Sequence, residues 1–117
     1  KETDSEKELR SKKIEEATIG AADVPSRVIK LCKDILKELQ IVSEKGNKNS
    51  LSDAGVAVSV LKAAVQSAYL NVLINCASMN NQTFAKEMQK SADILLEEIE
   101  YEAASIFNKI VKSISAS

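Results

Sequence analysis

The stretch Gly46–Ser78 decides the fold of this chain: GNKNSLSDAGVAVSVLKAAVQSAYLNVLINCAS. Its first ten residues are polar and bounded by glycines, and they lead directly into the most apolar segment of the sequence. Between Asp53 and Lys86 the only charged residue is Lys62. A helix that is apolar on nearly all sides is expected to lie at the centre of a bundle, covered all round.

The composition is typical of one all-helical domain. The 117 residues are 44% hydrophobic but only 3% aromatic, and they include one proline and three glycines. The core must therefore be aliphatic, and few residues interrupt helices. The net charge of −1 gives no basic excess for binding nucleic acid, so no nucleic-acid partner is expected.

Residues that hold metals or act as nucleophiles are scarce. There is no histidine, so a zinc site lacks ligands and a serine or cysteine nucleophile lacks its usual base. Cys32 and Cys76 are far apart, and we interpret them as buried free thiols. The charged N-terminus is unlike a signal peptide, and no run of about 18 uninterrupted apolar residues predicts a membrane span. These features predict a cytoplasmic protein without a metal or a membrane partner.

Periodicity and helix breakers predict four helices. Pro25 is expected to separate the first two, because proline suits the first turn of a helix and not its interior. Gly46 is expected to end the second helix as a left-handed cap. Ser52 or Asp53 is expected to cap the third helix, and Asn80 or Asn81 the fourth. The predicted helices cover residues 5–22, 25–45, 52–78 and 81–115.

Long apolar stripes predict how these helices pack. The stripe of the fourth helix is sustained for about 45 Å, which is too long for a compact domain with a radius of gyration near 13 Å. We therefore expect an all-α, antiparallel up-and-down bundle of long helices that forms a homodimer. The stripe expected to be buried on the second helix consists of Val28, Leu31, Ile35, Leu39 and Val42.

Two polar features of the third helix are candidates for function. Asp53 lies where the polar loop meets the apolar helix, so its carboxylate is either a plain helix cap or a group that faces a ligand. Asn71 and Asn75 place two amides in the apolar helix, where buried amides need partners. Asn71 lies on the same line of the helix as Asp53 but about 27 Å away. Either the amides are structural, or antiparallel pairing with a symmetry mate brings Asn71 of one subunit toward Asp53 of the other.

Three segments together resemble a known family. Gly46–Gly55, Asn71–Asn75 and Ala17–Pro25 (ATIGAADVP) are similar, in order and spacing, to the formimidoyltetrahydrofolate cyclodeaminase family, which includes methenyltetrahydrofolate cyclohydrolases. The resemblance covers about residues 6–114. The proline and triple-glycine segment that opens the family domain is not in this sequence. Residues 1–117 therefore resemble the C-terminal helical portion of a cyclodeaminase-like domain.

The resemblance implies a reaction of one-carbon metabolism. 5-Formiminotetrahydrofolate would close to 5,10-methenyltetrahydrofolate with release of ammonia, or the related cyclohydrolase reaction would occur. A tetrahydrofolate derivative is the implied partner, with no cofactor beyond it. Asp53 is the candidate catalytic residue, since a carboxylate must do the acid–base work without histidine. The candidate substrate-binding residues are Asn47, Lys48, Asn49, Ser52, Asn71 and Asn75.

Three alternatives stay open at this point. Asn47 and Asn49 are either pterin contacts or ordinary turn residues, and Lys48 is either a contact for the glutamate tail of a folate or a solvated surface charge. Periodicity alone supports a different class of protein equally well, namely a non-catalytic helical module for dimerisation or assembly.

Overall fold

The computed structural model describes residues 1–116, and over that range it contains three long helices and no strand. They are α1 (Asp4–Lys45), α2 (Lys48–Ala77) and α3 (Gln82–Ser115). Short connections make successive helices antiparallel, and the molecule is elongated, with extents of 73 × 21 × 16 Å. The prediction of an all-α chain of long helices is confirmed, but the prediction of four helices is wrong.

The difference in helix number comes from Pro25, which lies inside α1 rather than at a break. Proline has no N–H to donate to the carbonyl four residues earlier, here that of Ala21. That carbonyl instead accepts a hydrogen bond from Nδ2 of Asn75 on α2, at 3.4 Å. The Pro25 ring is buried, so packing compensates for the lost helical bond, and the predicted helices 5–22 and 25–45 are one helix.

The start of α2 also differs from the prediction. The N-cap is Asn47, whose side chain accepts from the backbone N–H of Ser50 at 3.0 Å. Ser52 and Asp53 therefore lie in the second turn and cap nothing. Gly46 is not left-handed, with φ −78° and ψ 155°. It is required for space, because a Cβ there would lie 2.7 Å from the carbonyl oxygen of Val42.

The core runs along α2, between α1 and α3. Both cysteines are buried free thiols, as predicted, and burial raises the pKa of each. The cap of α3 is Asn81, one of the two residues predicted, and it accepts from the N–H of Phe84. The largest side chains that are fully buried are Ile29, Leu36, Val58, Val65, Val72, Cys76 and Ile99.

Two surfaces predicted to be buried are exposed. On α1 the buried residues are Ile29, Cys32 and Leu36 rather than the predicted stripe, because α2 and α3 cover the neighbouring face. In the predicted stripe, Leu39 is half-buried and the other four side chains are exposed. The α2 helix is likewise not covered all round, since its outward face has no neighbouring helix. Its exposed large side chains are Val56, Val60, Leu70 and Ile74, each 63–66% exposed.

The α2 helix is also notable for its high hydropathy. By length and composition alone, Lys48–Ala77 is apolar enough to cross a membrane, and 28% of its most apolar 18-residue window is buried by the rest of the molecule. The helix carries Lys48, Asp53 and Lys62, so it is not an uninterrupted apolar run. The core helix of a water-soluble protein can have the same length and composition, so one such helix is weak evidence for a membrane span.

Polar contacts join α1 to α3 and also join α1 to the connection between α2 and α3. Nζ of Lys33 on α1 lies 2.6 Å from Oε1 of Glu102 and 3.3 Å from Oε2 of Glu98, both on α3. The carboxylate of Glu15 accepts hydrogen bonds from the backbone N–H groups of Asn80 and Asn81, at 2.8 and 2.9 Å. These contacts fix the register of the bundle at two well-separated levels.

Candidate functional site

Asp53 is an exposed residue on the side of α2 that faces α1. It lines an open groove of about 340 Å³ between the two helices. Within residues 1–116 its carboxylate makes no hydrogen bond and no ion pair. The helix-cap interpretation of Asp53 is therefore wrong, and the carboxylate is available to a ligand in the groove. The other lining residues are Leu39, Val42, Ser50, Ala54 and Ala57.

Most of the residues that line the groove could not be predicted from the sequence. Leu39 and Val42 belong to α1, and they lie opposite Asp53 only because α1 and α2 pack antiparallel after a two-residue connection. Their apolar character was visible in the sequence, but it indicated burial in the core rather than the wall of a groove. Ser50 and Ala57 occur one turn from Asp53 on either side, a spacing at which residues share one helix face.

The cap and the first two turns of α2 carry the other polar candidates that are close to Asp53 in the sequence. Asn47 is the cap, and its side-chain oxygen accepts a hydrogen bond from the backbone N–H of Ser50. This role agrees with the interpretation of Asn47 as a turn residue. Lys48, Asn49 and Ser52 are exposed, and none of their side chains makes a hydrogen bond or ion pair to another residue within the described range. None of the three lines the groove that contains Asp53, and Ser52 instead lines a separate groove between α2 and α3.

The two amides at the other end of α2 are not near Asp53 in a single chain. Eighteen residues of helix separate Asn71 from Asp53, which is about 27 Å. Nδ2 of Asn75 donates to the carbonyl of Asn71, at 2.8 Å, and to that of Ala21. Asn75 thus has a structural role as the partner of the carbonyl released by Pro25. The Asn71 side chain is exposed and has no hydrogen-bond partner in the part of the chain that is described.

The groove offers one carboxylate to a ligand. The Asp53 side chain is exposed at an open groove with aliphatic walls, and it has no cationic partner within residues 1–116. The same carboxylate can take a proton from a bound amine and return it to a leaving group. No group of three or more potential metal ligands occurs in residues 1–116.

Comparisons with known proteins point to one family. The family model described as Formiminotransferase-cyclodeaminase matches residues 1–94. A methenyltetrahydrofolate cyclohydrolase of Methylorubrum extorquens is 44% identical over 98 residues, which are 84% of this chain and 47% of that protein. The formimidoyltransferase-cyclodeaminase of Rattus norvegicus is 30% identical over 110 residues, covering 94% of this chain and 20% of that protein.

The mouse formimidoyltransferase-cyclodeaminase gives the same identity and the same coverage as the rat protein. The chain thus spans about half the length of the bacterial relative and about a fifth of the mammalian ones. The family match covers most of the sequence, including the groove and both amides of α2. The chain therefore belongs to the formiminotransferase-cyclodeaminase family.

Proposed function

We propose that this chain forms part of a site at which the five-membered ring of 5,10-methenyltetrahydrofolate is made or opened. The observation that carries the proposal is the unpaired carboxylate of Asp53 in the groove between α1 and α2. The family membership and the names of the relatives support the substrate class.

In the cyclodeaminase direction the substrate carries a protonated formimino group on N5 of the folate. N10 attacks the formimino carbon, so that an N10–C bond forms and a tetrahedral adduct results. The proton on N10 is then transferred to the amino group, the C–NH₂ bond breaks, and ammonia leaves. The product is the methenyl cation. In this proposal Asp53 carries that proton and stabilises the positive charge of substrate and product.

The cyclohydrolase reaction uses the same cation. Water adds to the methenyl carbon and loses a proton. The C–N5 bond of the adduct then breaks while the hydroxyl proton is transferred to N5, which gives the 10-formyl product. A carboxylate beside the methenyl carbon can accept the proton from the water. Since both reactions require one carboxylate near one cationic carbon, the groove suits both.

The test is an absorbance assay of the methenyl compound with both substrates, 5-formiminotetrahydrofolate and 5,10-methenyltetrahydrofolate. We expect Asp53→Asn to lower kcat on the order of 10²- to 10⁴-fold, because a positioned general base contributes that much. The matched control is Asp34→Asn, which removes an exposed carboxylate of α1 outside the groove. Full activity of Asp53→Asn would remove Asp53 from the reaction.

The alternative of a non-catalytic assembly module is favoured by one observation. The exposed apolar side chains of α1 and α2 lie together on one side of the molecule, which is typical of a surface that is covered in an assembly. The folate assay separates the two proposals, because an assembly module turns over neither substrate.

A further inference from the structure

The groove that Ser52 lines, here called the α2–α3 groove, is a second concave site on the molecule. It consists of two cavities of about 230 and 320 Å³ between α2 and α3, and Ser59 and Phe107 line both of them. On α2 it extends from Ser52 to Lys62, which is about 15 Å of helix. Together the two cavities have the size of a small-molecule site, which is typically about 300–1,000 Å³.

Most of the α2–α3 groove has apolar walls that a ligand can reach. Val56 on α2 is 63% exposed, and Phe107 and Val111 on α3 are 42% and 45% exposed. The two helices are in close contact beneath these side chains, because a Cβ at Gly55 would lie 3.4 Å from Cγ2 of Ile110. The groove therefore has an apolar floor as well as apolar walls.

The charge of the groove lies at one end. Lys62 is the one charged residue among those that line it, and it makes no ion pair within residues 1–116. Asn108 lines the same cavity, and its amide has no hydrogen-bond partner in that range. The hydroxyl of Ser59 already donates to the carbonyl of Gly55 at 3.1 Å. The available donors are thus the Lys62 ammonium and the Asn108 amide, and both suit a carboxylate.

The α2–α3 groove is separate from the groove that contains Asp53. Asp53 and Lys62 are nine residues apart, which at 100° per residue places them on opposite sides of α2. A ligand beside Asp53 therefore has the whole width of α2 between it and Lys62. The two grooves also have opposite charges, so the α2–α3 groove requires an anionic ligand of its own.

We propose that the α2–α3 groove binds a medium-chain fatty acid. The carboxylate accepts hydrogen bonds from Lys62 and Asn108, and the alkyl chain lies along Val56, Phe107 and Val111. One lysine matches one carboxylate. A methylene adds about 1.25 Å to an extended chain with C–C bonds of about 1.5 Å, so a groove of about 15 Å accommodates about twelve carbons. This site does not depend on the proposed folate reaction.

Calorimetric titration with saturated fatty acids of increasing length, each below its micelle concentration, tests the apolar part of the groove. Full burial of a methylene raises affinity about fourfold, so a groove that covers about half of the chain gives about twofold. We expect the affinity to rise by that factor per methylene from hexanoate and to level off near dodecanoate. An affinity that keeps rising to tetradecanoate, or no saturable binding of any chain, would overturn the proposal.

Removal of the charge tests the polar end. Lys62→Met keeps the aliphatic stem, and we expect the affinity for decanoate to fall about 3- to 10-fold, because the contact stays partly exposed to water. Lys86→Met makes the same change at an exposed position of α3 outside the groove and should leave the affinity unchanged. Decanol has no carboxylate and should bind the wild type and Lys62→Met equally. Equal affinity of these two proteins for decanoate would reject the site.

Chemical-shift mapping by NMR locates the ligand. We expect decanoate to shift the backbone amide signals of Lys62, Phe107 and Asn108 and to leave that of Leu31, an exposed residue of α1, unchanged. Val111→Glu adds a like charge to the apolar part of the groove at an exposed position and should abolish these shifts. Shifts centred on Leu31 would contradict the proposal. Shifts of the groove signals with protein concentration alone would also contradict it, because they would indicate a second copy of the chain in the groove.

Discussion

The two long faces of the α1–α2 pair differ in how their apolar side chains are used. The face toward α3 buries Ile29, Leu36 and Val65 and is flanked by the ion pairs of Lys33. The face that points away from α3, here called the open face, carries exposed apolar side chains of α1 and α2, such as Leu31 at 57% and Val60 at 63%. No ion pair crosses it in residues 1–116. Helical periodicity marks both faces as apolar, so the pattern alone does not tell which face is covered within the chain.

The strongest test of this comparison uses two leucines of α1 that differ only in face. Leu36→Ala removes a side chain that is 1% exposed, and we expect it to lower the free energy of unfolding by about 2–5 kcal/mol. Leu31→Ala removes a side chain of the open face and should change the free energy of unfolding of the monomer by no more than about 0.5 kcal/mol. Chemical denaturation at low protein concentration measures both.

Repeating the denaturation at high protein concentration sharpens the result. If the open face is buried between two copies, Leu31→Ala gains an additional loss of stability that depends on concentration. A large loss for Leu31→Ala in the dilute monomer would contradict the exposure assigned to it.

How much of the fold was predictable follows from the same comparison. The α3 helix, its cap at Asn81 and its long apolar stripe agree with the sequence, because α3 has one apolar stripe. That stripe, which includes the buried Ile99 and Ile106, packs against both α1 and α2. The α1 helix has two apolar stripes, and only the one through Ile29 is buried against the other helices. The continuity of α1 through Pro25 was not predictable either, since it depends on contacts that come from another helix.

The candidate site shows a similar limit. The sequence identified Asp53 from its position between a polar loop and an apolar helix, and the structure places it in a groove. The sequence assigned it the alternative role of a cap because two adjacent residues, Ser52 and Asp53, both have capping side chains. The cap of α2 is instead Asn47, five residues before Ser52. The walls of the groove come from α1, so no local pattern in α2 reports them.

A second test concerns the contact that joins the open-face edges of α1 and α2. Asn75→Ala removes the donor to the carbonyl of Ala21, and we expect a loss of about 1 kcal/mol in the free energy of unfolding. In a Pro25→Ala background the new N–H of residue 25 can bond to that carbonyl. The same Asn75→Ala change should then cost less, which a double-mutant cycle of denaturation curves measures.

Additivity in that cycle would contradict the pairing of the two features. Asn71→Ala is the matched control, because its side chain has no partner within the described chain and its loss should not depend on the residue at position 25. Equal coupling of both amides to Pro25 would indicate a general effect of the proline on α1 rather than the specific bond from Asn75.

The smallest expected effect lies on the covered side, at Lys33. The hydrogen bond to Glu102 is the main reason why the pKa of the Lys33 ammonium is raised above its ordinary value of 10.5, and Glu98 adds to it. Folding therefore favours the protonated form. The stabilisation is fully present at neutral pH and is lost as the pH rises above about 10.5 through the folded-state pKa.

Lys33→Met keeps the aliphatic stem of the side chain and removes the charge. We expect a loss of about 0.5–1 kcal/mol in the free energy of unfolding at pH 7, because the side chains of Glu98 and Glu102 are 50% and 39% exposed and solvent screens the ion pairs. The difference from the wild type should shrink above pH 10.5. Tyr69 also has a raised pKa through its hydrogen bond to Asp93, and it titrates in both proteins, so the difference isolates Lys33. A difference that stays constant up to pH 12 would mean that Lys33 stabilises the α1–α3 contact by packing alone.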